Sequence, residues 1–402
     1  QPQAALYISG VTAAEQRAWA ENWARATFSK ITPLPPRAAR PGDRIRIGYL
    51  SADFYDHATA LLIAGMLEEH DAARFEVFAY STGRDDGSAV RARLVRAVDR
   101  FVDLRDVAFR RAAQRIADDA LDVLIDLGGY VKDSAMEILA YRPAALQGHF
   151  LGYPGTTGAP FVDFFVADGV TVPPGSEAAF TERVLRMPAC YQPNDPRRAL
   201  PAPRTRAQLG LPDEALVLCS FNQGLKLRPP VFESWCRLLE AVPGALLWIS
   251  DNGDSPNGRL RAFARERGID PARIVFAPYV PQAEHISRLA LADIALDTFP
   301  CSSHTTASDA LWAGVPLVTT CGDTFASRVA ASIVSAAGCA DWSFHDPAKA
   351  FEATLALARD PGLRRAARGR LERVRSSRLF EAAVFARDFE NLVEAATREH
   401  RP

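Results

Sequence analysis

The sequence predicts an α/β protein of two Rossmann-like, doubly wound lobes that face each other across a cleft, preceded by an N-terminal helix and linker. Its 402 residues exceed what one typical core needs, which favours two or three domains. Short apolar runs alternate with helix-like segments, as in repeated βα units. A Pro-rich stretch over 169–212 interrupts this alternation once and predicts the crossing between lobes.

The first segment, residues 1–40, is expected to be a helix and a linker. Residues 12–29 have helical composition, and Trp19 and Trp23 share one face at a spacing of four. The Pro- and Arg-rich run KITPLPPRAARPGD follows and predicts the linker. Because the chain begins at Gln1 without a Met, we expect it to be a cut within a longer gene product.

The first lobe is expected over 41–205. The run LDVLIDLGG is almost continuously apolar, as a buried parallel strand should be. The expected strands are 44–51, 75–82, 121–129, 145–152 and 161–168, with helices over 88–99 and 108–119.

The second lobe is expected over 206–402 and repeats the same alternation. Its expected strands are 215–222, 245–250, 273–279, 293–299 and 316–320. Its expected helices are 229–241, 257–268, 281–291, 306–313 and 324–337, with closing helices over 361–375 and 379–399. Open α/β sheets bind ligands at the carboxyl ends of their strands, so the cleft is the expected site.

Composition excludes several classes of partner. The formal net charge is −1 and aromatic residues do not interleave with basic ones, so no nucleic acid or membrane surface is expected. No apolar stretch reaches 18 residues, and the chain does not open on a secretory signal pattern. Six cysteines without CxxC or zinc-type spacing predict buried, reduced thiols and a cytoplasmic location.

The stretch DTFPCSSHTTASDALWAGVPLVTT, residues 297–320, gathers hydroxyls and an imidazole where a helix should begin. The first turn of a helix leaves N–H groups unpaired, and its dipole favours an anion there. His304, Thr305 and Thr306 are therefore candidates for a phosphate or diphosphate site. N-capping by Ser303 or Thr305 explains the same residues, and both interpretations stay open.

Two more motifs follow strand ends in the second lobe. In SFNQGLKLRP, Gln223 and Lys226 come after a strand, where a lysine can contact a leaving phosphate as a point charge. In PQAEHISR, His285 and Arg288 share a helix face, which suits stacking on a base and bonding to its edge. A solvated loop lysine and a surface His–Arg pair are the alternatives.

Two motifs also follow strand ends in the first lobe. In GYLSADFYDHATALL, His57 precedes an apolar helix and is a candidate general base or electrostatic helper, with a structural histidine as the alternative. In HFLGYPGTTGAPFVD, Gly152 and Gly155 would let the backbone approach a ligand closely, and a turn explains them equally well.

Several common active-site signatures are missing from the sequence. Neither GxGxxG nor GxxxxGK[ST] occurs, no carboxylate pair suited to glycoside hydrolysis stands out, and no acidic metal motif is evident. A metal-free site would rely on Lys, Arg and helix dipoles to neutralise charge.

Taken together, IGYLSADFYDHAT, LGYPGTTGAPFVD, SFNQGLKLRP, PQAEHISR and CSSHTTASDALWAGVPLVTTCGDTFASRVAAS resemble the catalytic region of the nucleocytoplasmic O-GlcNAc transferases. These are GT-B glycosyltransferases of family GT41, which also holds the SPINDLY protein fucosyltransferases. The resemblance covers about 44 to 395. It implies inverting transfer of GlcNAc from UDP-GlcNAc to Ser or Thr of a protein or peptide, without a metal or any cofactor besides the donor.

The resemblance also implies roles for individual residues. Lys226 matches the lysine at the donor diphosphate and His57 an active-site histidine near acceptor and sugar, and both are expected to be catalytic. The expected donor-binding residues are Gln223, Lys226, Val280, Gln282, His285, Arg288, Cys301, His304, Thr305, Thr306, Asp309, Leu151 and Gly152. Val280, His285 and Arg288 match the uracil-recognition set. Asp309 matches a ribose contact, and Leu151 and Gly152 match the lining of the sugar pocket.

The sequence departs from the family pattern at several points. Gln282 stands where animal members carry a ribose-contacting lysine, and Ala58 replaces the proline after the histidine. Gln114 aligns with a proposed catalytic aspartate, which puts that role in doubt. Family members usually carry tetratricopeptide repeats before the catalytic region, whereas no 34-residue repeat occurs here, and residues 1–40 resemble the final helix and linker of such a repeat region. The stretch 169–212 is too short for the domain inserted in animal members.

Three other functions stay open at this point. The same fold can use GDP-fucose, as SPINDLY-like members do, or UDP-glucose, as related bacterial enzymes do; the SHTT histidine and the EHISR run favour UDP. A sugar-nucleotide 2-epimerase also has two Rossmann lobes, but it needs carboxylates that the sequence does not place. A binding module without turnover would not need Lys226, His57 and the His-Thr-Thr run together. The sequence does not predict an oligomeric state.

Overall fold

The computed structural model of the chain describes residues 1–36, 44–200 and 202–400. The chain divides into two compact units, Gln1–Pro196 with Phe380–Pro402, and Arg197–Leu379. The part of the expected linker over 37–43 lies outside the described residues. Among the residues described, no helix is both long and apolar enough to cross a bilayer.

The first unit is built on a seven-stranded parallel sheet in the order β3-β2-β1-β4-β5-β6-β7. Its strands are β1 (Ile45–Ser51), β2 (Phe75–Ser81), β3 (Arg100–Asp103), β4 (Val123–Asp126), β5 (Leu146–His149), β6 (Phe164–Asp168) and β7 (Arg183–Met187). Its helices are α1 (Ala13–Phe28), α2 (Ala58–Glu68), α3 (Ala89–Ala97), α4 (Phe109–Asp118) and α5 (Met136–Ala140). The strand order reverses between β1 and β4, which makes this the switch point of a doubly wound sheet.

Local sequence explains the central elements of this unit. Every residue of β4 is buried, as expected for an apolar strand with neighbours on both sides. Helix α2 is apolar along most of its length and is correspondingly buried. Helix α1 begins with a capping box, in which the Thr12 side chain accepts from the Glu15 amide and the Glu15 side chain accepts from the Thr12 amide.

Two strands of the first unit are not predicted from the sequence. The expectation that 169–212 is irregular is wrong for β7, which pairs in parallel with β6 over five positions at the edge of the sheet. Two arginines interrupt the apolar residues of RVLRM, and only Leu185 and Met187 of this edge strand are buried. Strand β3 is also an edge strand, and its four residues begin and end with charged side chains.

The second unit carries a six-stranded parallel sheet in the order β10-β9-β8-β11-β12-β13. Its strands are β8 (Leu216–Ser220), β9 (Ala245–Ser250), β10 (Ile274–Ala277), β11 (Ile294–Leu296), β12 (Leu317–Thr320) and β13 (Ser343–Phe344). Its helices are α6 (Pro229–Ala241), α7 (Asp254–Glu266), α8 (Gln282–Leu289), α9 (Thr305–Trp312), α10 (Phe325–Ala336), α11 (Pro347–Arg359) and α12 (Pro361–Leu371). Here the switch point lies between β8 and β11.

The sequence misses β13 and α11 in this unit. Strand β13 has only two residues, too few for a periodic pattern. Helix α11 does carry a start signal, because Asp346 caps it by accepting from the Ala348 amide and Pro347 occupies its first position.

The last helix, α13 (Ala382–His400), belongs to the first unit and not to the second lobe, where it is predicted from the sequence. The Phe389 ring lies 5.2 Å from that of Phe150. The Glu390 carboxylate accepts from the Asp71 amide at 2.7 Å and lies 2.9 Å from Nδ1 of His70. An amphipathic pattern predicts that one face is buried but not which core it covers, so this placement needs the structure.

Candidate active site

The loop between β11 and α9 is organised around Asp297. One oxygen of its carboxylate accepts from the Ser303 amide at 2.6 Å, and the other accepts from the Thr319 hydroxyl at 2.5 Å. Burial raises the pKa of Asp297, and these hydrogen bonds act against that rise. The carboxylate therefore closes the loop so that its last residues lead directly into α9.

A second set of hydrogen bonds ties this loop to α10. The Ser302 hydroxyl donates to the Ala326 carbonyl at 2.8 Å and accepts from the Ala330 amide at 3.2 Å. His304 occupies the N-cap position of α9, and no side chain caps the helix. The simple capping interpretation of this stretch is therefore wrong, and the first turn of α9 presents its amides as donors.

Asn222, directly after β8, bridges the two sides of the switch point. Its amide nitrogen donates to the Ser220 hydroxyl at 3.1 Å and to the Ser303 hydroxyl at 2.8 Å. Its amide oxygen accepts from the Thr306 hydroxyl at 2.9 Å. Asn222 and Asp297 are not predicted from the sequence, although polar residues just after buried strands are a usable signal, and Ser303 is predicted only as a possible helix cap.

Lys226 lies in a short 3₁₀ turn, Gly224–Lys226, and its ammonium group donates to the Ser302 carbonyl at 2.6 Å. The structure thus brings the predicted lysine to the loop that precedes α9. Burial and, to a smaller extent, the Lys226 charge hold the pKa of His304 well below its usual range, so its imidazole is neutral. Burial raises the pKa of the Cys301 thiol, which stays protonated. Gln223 is exposed at the start of the turn.

His285 and Arg288 form one cluster with Phe221 at the other side of β8. Arg288 donates through Nε to His285 Nδ1 at 3.2 Å and through Nη1 to the Pro278 carbonyl at 2.5 Å. Its guanidinium lies 4.7 Å from the centre of the Phe221 ring, which His285 meets edge-on at 5.0 Å. Burial, followed by the Arg288 charge, lowers the pKa of His285 to about 4, so this imidazole is also neutral.

One pocket connects this cluster with the start of α9. Of the residues predicted to contact the donor, His285 and Thr306 line this cavity, which lies at the switch point of the second sheet. The pocket is lined by Cys219, Ser220, Phe221, Asn222, His285, Leu289, Ala295, Leu296, Ser303, Thr306, Ala310 and Leu317.

The other predicted donor-binding residues of the second unit do not line this pocket: Gln223, Lys226, Val280, Gln282, Arg288, Cys301, His304, Thr305 and Asp309. Val280 is half-buried in the connection from β10 to α8, and Gln282 is the first residue of α8. Asp309 is buried in α9 and accepts from Arg198 at 2.6 Å. Burial raises the pKa of Asp309 and the Arg198 charge opposes that rise.

In the first unit, His57 is the N-cap residue of α2. Its Nδ1 accepts from the Thr59 amide at 3.2 Å and lies 3.6 Å from the Asp53 carboxylate. Because Nδ1 is occupied as an acceptor, the neutral ring carries its proton on Nε2. The half-exposed side chain therefore presents a hydrogen-bond donor, which fits an electrostatic helper better than a base at Nε2.

Leu151 and Gly152 lie in the loop after β5. Leu151 is buried with φ at 78°, and a Cβ on Gly152 would lie 2.1 Å from the Leu127 carbonyl oxygen. Gly152 is therefore required by a close backbone contact within the unit. A Cβ on Gly155 would meet nothing closer than 3.4 Å, so no tight contact requires glycine there.

Comparison with known proteins fits this arrangement. The family model described as Glycosyl transferase family 41 matches residues 26–202 and 198–389. The chain belongs to this family. It is 34% identical over 343 residues to SEC, the probable UDP-N-acetylglucosamine–peptide N-acetylglucosaminyltransferase of Arabidopsis thaliana, covering 84% of this chain and 35% of that protein. It is 30% identical over 466 residues to the UDP-N-acetylglucosamine–peptide N-acetylglucosaminyltransferase of Caenorhabditis elegans, covering 88% of this chain and 40% of that one.

The structural comparison extends over nearly the whole chain. A mutant of the Thermobaculum terrenum O-GlcNAc transferase superposes with a TM-score of 0.90 at 29% identity, covering 98% of this chain and 76% of the other. The predicted GT-B fold class and the resemblance to family 41 are thereby confirmed. The chain spans 35% and 40% of the lengths of the two curated relatives.

Two of the residues that depart from the family 41 pattern, Gln114 and Ala58, lie on helices of the first unit. Gln114 is exposed on α4 and donates to Asp118 at 2.9 Å on the same helix. Ala58 is the first residue of α2, directly after the capping histidine. Within the part of the chain that the structure describes, no group of three or more His, Cys, Asp or Glu side chains is arranged to hold a metal ion.

Proposed function

We propose that this chain is a glycosyltransferase that moves GlcNAc from UDP-GlcNAc to Ser or Thr hydroxyls of proteins, with inversion and without a metal. The observation that carries this proposal is the position of Lys226, whose ammonium group lies 2.6 Å from the Ser302 carbonyl, in front of an uncapped helix start. The names of the family 41 relatives support a UDP-GlcNAc donor and a peptide acceptor.

The base of the donor is assigned to the cluster of Phe221, His285 and Arg288. A neutral imidazole offers one donor and an aromatic face, which suits a pyrimidine better than a second cation beside Arg288 would. Because Arg288 is held on the Pro278 carbonyl and on His285, the cluster is rigid before a ligand arrives. We propose that three further groups complete the nucleoside contacts: the Val280 backbone and the side chains of Gln282 and Asp309.

The diphosphate is assigned to the start of α9. As the bond between sugar C1 and the phosphate oxygen breaks, negative charge builds up on the UDP leaving group. The Lys226 ammonium and the α9 amides, including that of Thr306, stabilise that charge where it develops, together with the hydroxyl of Thr305. A single such donor contributes roughly 3–4 kcal/mol to transition-state stabilisation in well-studied enzymes. This charge compensation is why we propose a reaction without a metal.

On the acceptor side, the serine or threonine oxygen attacks C1 from the face opposite to the departing phosphate, which inverts the anomeric centre. The new bond joins C1 to the acceptor oxygen, and the acceptor proton passes to a base. Because His57 presents Nε2–H, we assign it to hydrogen bonding with acceptor or sugar. A donor phosphate oxygen or a water molecule then takes the proton.

Transfer assays with three donors test this proposal. The chain is incubated with UDP-GlcNAc, UDP-glucose or GDP-fucose, a library of Ser/Thr peptides and EDTA, and the mass of each peptide is measured. With UDP-GlcNAc we expect the peptide mass to increase by one GlcNAc, and EDTA should not reduce the yield. NMR of the product should show that the anomeric configuration of the sugar is inverted relative to the donor. Transfer of fucose or glucose alone would replace the donor assignment, and donor binding without any transfer would support a binding module.

The proposed compartment and partners rest on other features. All six cysteines are buried free thiols, which supports a reducing, cytoplasmic location. We propose a UDP-sugar and a protein or peptide as partners, and no nucleic acid.

A further inference from the structure

The loop after β5 contains a strained turn at Leu151. The Gly152 amide donates to the Phe150 carbonyl at 3.1 Å, and Leu151 between them has φ at 78°. A three-residue turn with positive φ is rare and strained for a residue with a side chain. Such a conformation persists only when the surrounding contacts hold it in place.

His149, the last residue of β5, makes the contacts that bracket this turn. Its Nδ1 lies 2.9 Å from an Asp126 carboxylate oxygen, and its Nε2 lies 2.9 Å from the Tyr153 carbonyl oxygen. Neither acceptor can donate a proton to the ring unless Asp126 is itself protonated. Both Asp126 oxygens also accept from backbone amides, Oδ1 from Gly128 at 3.2 Å and Oδ2 from Gly129 at 2.6 Å.

The charges around His149 favour the doubly protonated ring. Both His149 and Asp126 are almost completely buried. A second buried carboxylate, Glu182 at the start of β7, acts on His149 and accepts from the amide of Thr157 at 2.6 Å. The neighbouring phenols of Tyr130 and Tyr153 stay neutral, because burial raises the pKa of each. Burial alone lowers the pKa of His149, but Asp126 and the Tyr153 carbonyl outweigh it and the net shift is upward.

We propose that His149 is a positioning residue for sugar transfer: as an imidazolium that donates to both Asp126 and the Tyr153 carbonyl, it holds the strained turn at Leu151 and Gly152 in place. This inference rests on the proposed function, in which those two residues line the sugar pocket. Asp126 is the last residue of β4 and His149 the last residue of β5, so the pair joins the starts of two loops at the carboxyl edge of the first sheet.

The proposal separates sugar positioning from nucleotide binding. The UDP contacts assigned above belong to the second unit, whereas His149 and Asp126 belong to the first. Loss of the imidazolium should therefore lower kcat and leave the Kd for UDP almost unchanged. A displacement of about 1 Å in a reacting geometry lowers rates by about 100-fold, so we expect kcat to fall by about 10- to 100-fold.

The protonation state of His149 is measured without any activity. The chain is labelled with ¹⁵N-histidine, and the ring nitrogens of the seven histidines are recorded near pH 7 by long-range ¹H–¹⁵N correlation. The His149 signal is assigned by its absence in His149→Gln. Two protonated nitrogens are expected. One protonated and one unprotonated nitrogen would overturn the proposal.

Kinetics of His149→Gln and Asp126→Asn test the positioning role. His70→Gln is the matched control, because His70 is also buried and bonded to a carboxylate, Glu390, but at the last helix. We expect a lower kcat with unchanged UDP affinity in the first two variants and an unchanged kcat in the control. Equal losses in all three, or wild-type kcat in folded His149→Gln, would overturn the proposal.

The outcomes remain distinct if the proposed function fails. Absence of GlcNAc transfer in the wild type would refute that function, while the ¹⁵N spectrum still decides the state of His149. If His149→Gln does not fold, Asp126→Asn retains the imidazole, and its kcat decides the positioning role.

Discussion

Replacement of Asn222 by alanine should loosen the switch point of the second sheet. The wild-type amide makes three hydrogen bonds, to Ser220, Ser303 and Thr306, at 3.1, 2.8 and 2.9 Å. At a net value of about 1 kcal/mol each, their loss lowers the free energy of unfolding of the second unit by about 3 kcal/mol. The hydroxyls of Ser220 and Ser303 are buried, so water does not replace the lost partner freely.

The same substitution should weaken UDP binding, because Ser303 and Thr306 lose the group that holds them at the pocket. A loss of about 1 kcal/mol in preorganisation corresponds to a Kd about fivefold higher. Chemical denaturation and calorimetric titration of UDP measure the two effects. Asn252→Ala is the control, since the side-chain amide of Asn252 donates to the Ser250 carbonyl and the residue does not line the pocket. Wild-type stability and UDP affinity in Asn222→Ala would refute this reasoning.

Three further predictions concern the first unit. Because the folded pKa of His149 is raised above its ordinary value of 6.5, the stability it contributes is complete below pH 6.5 and is lost as pH rises through the folded pKa. Urea midpoints between about pH 6 and 9 should therefore fall more steeply for the wild type than for His149→Gln; parallel curves would contradict this. Gly152→Ala should destabilise the unit by about 3 kcal/mol through its contact with the Leu127 carbonyl oxygen, whereas Gly155→Ala should cost less than about 1 kcal/mol; equal thermal shifts would be inconsistent with these contacts. Glu390→Ala should lower the free energy of unfolding by about 3–5 kcal/mol and expose the last helix to proteolysis, because it leaves the buried His70 side chain without its carboxylate partner. Glu394→Ala, which removes a partly exposed ion pair with Arg74, should lower it by about 1 kcal/mol or less.

The sequence predicts the alternation of strands and helices because central parallel strands are continuously apolar, and β8 and β9 stand close to their expected bounds. Edge strands lack that signal. The charged residues of RVLRM conceal β7, and β13 is too short to have a period. The assignment of α13 depends on which core its apolar face covers, and no local pattern carries that information.

The same distinction applies to the candidate site. Lys226 and His304 are predictable because a cation and hydroxyl-rich residues after strand ends are unusual. Asn222 and Asp297 are harder to single out, because their importance lies in hydrogen bonds to residues up to 84 positions away in the chain. The role of His149 is likewise invisible in sequence, since its partner Asp126 is 23 positions away and only the sheet register brings them together.

The central claim is that Lys226 and the start of α9 form a diphosphate site for a uridine nucleotide. Calorimetric titration of UDP and of GDP into the wild type, Lys226→Ala and Lys349→Ala tests it most directly. Lys349 is the matched control, an exposed lysine on α11 in the same unit. We expect UDP to bind the wild type and Lys349→Ala equally and to bind Lys226→Ala at least about tenfold more weakly, with GDP weak throughout. Equal UDP affinity in all three proteins, or tighter binding of GDP than of UDP, would contradict the claim.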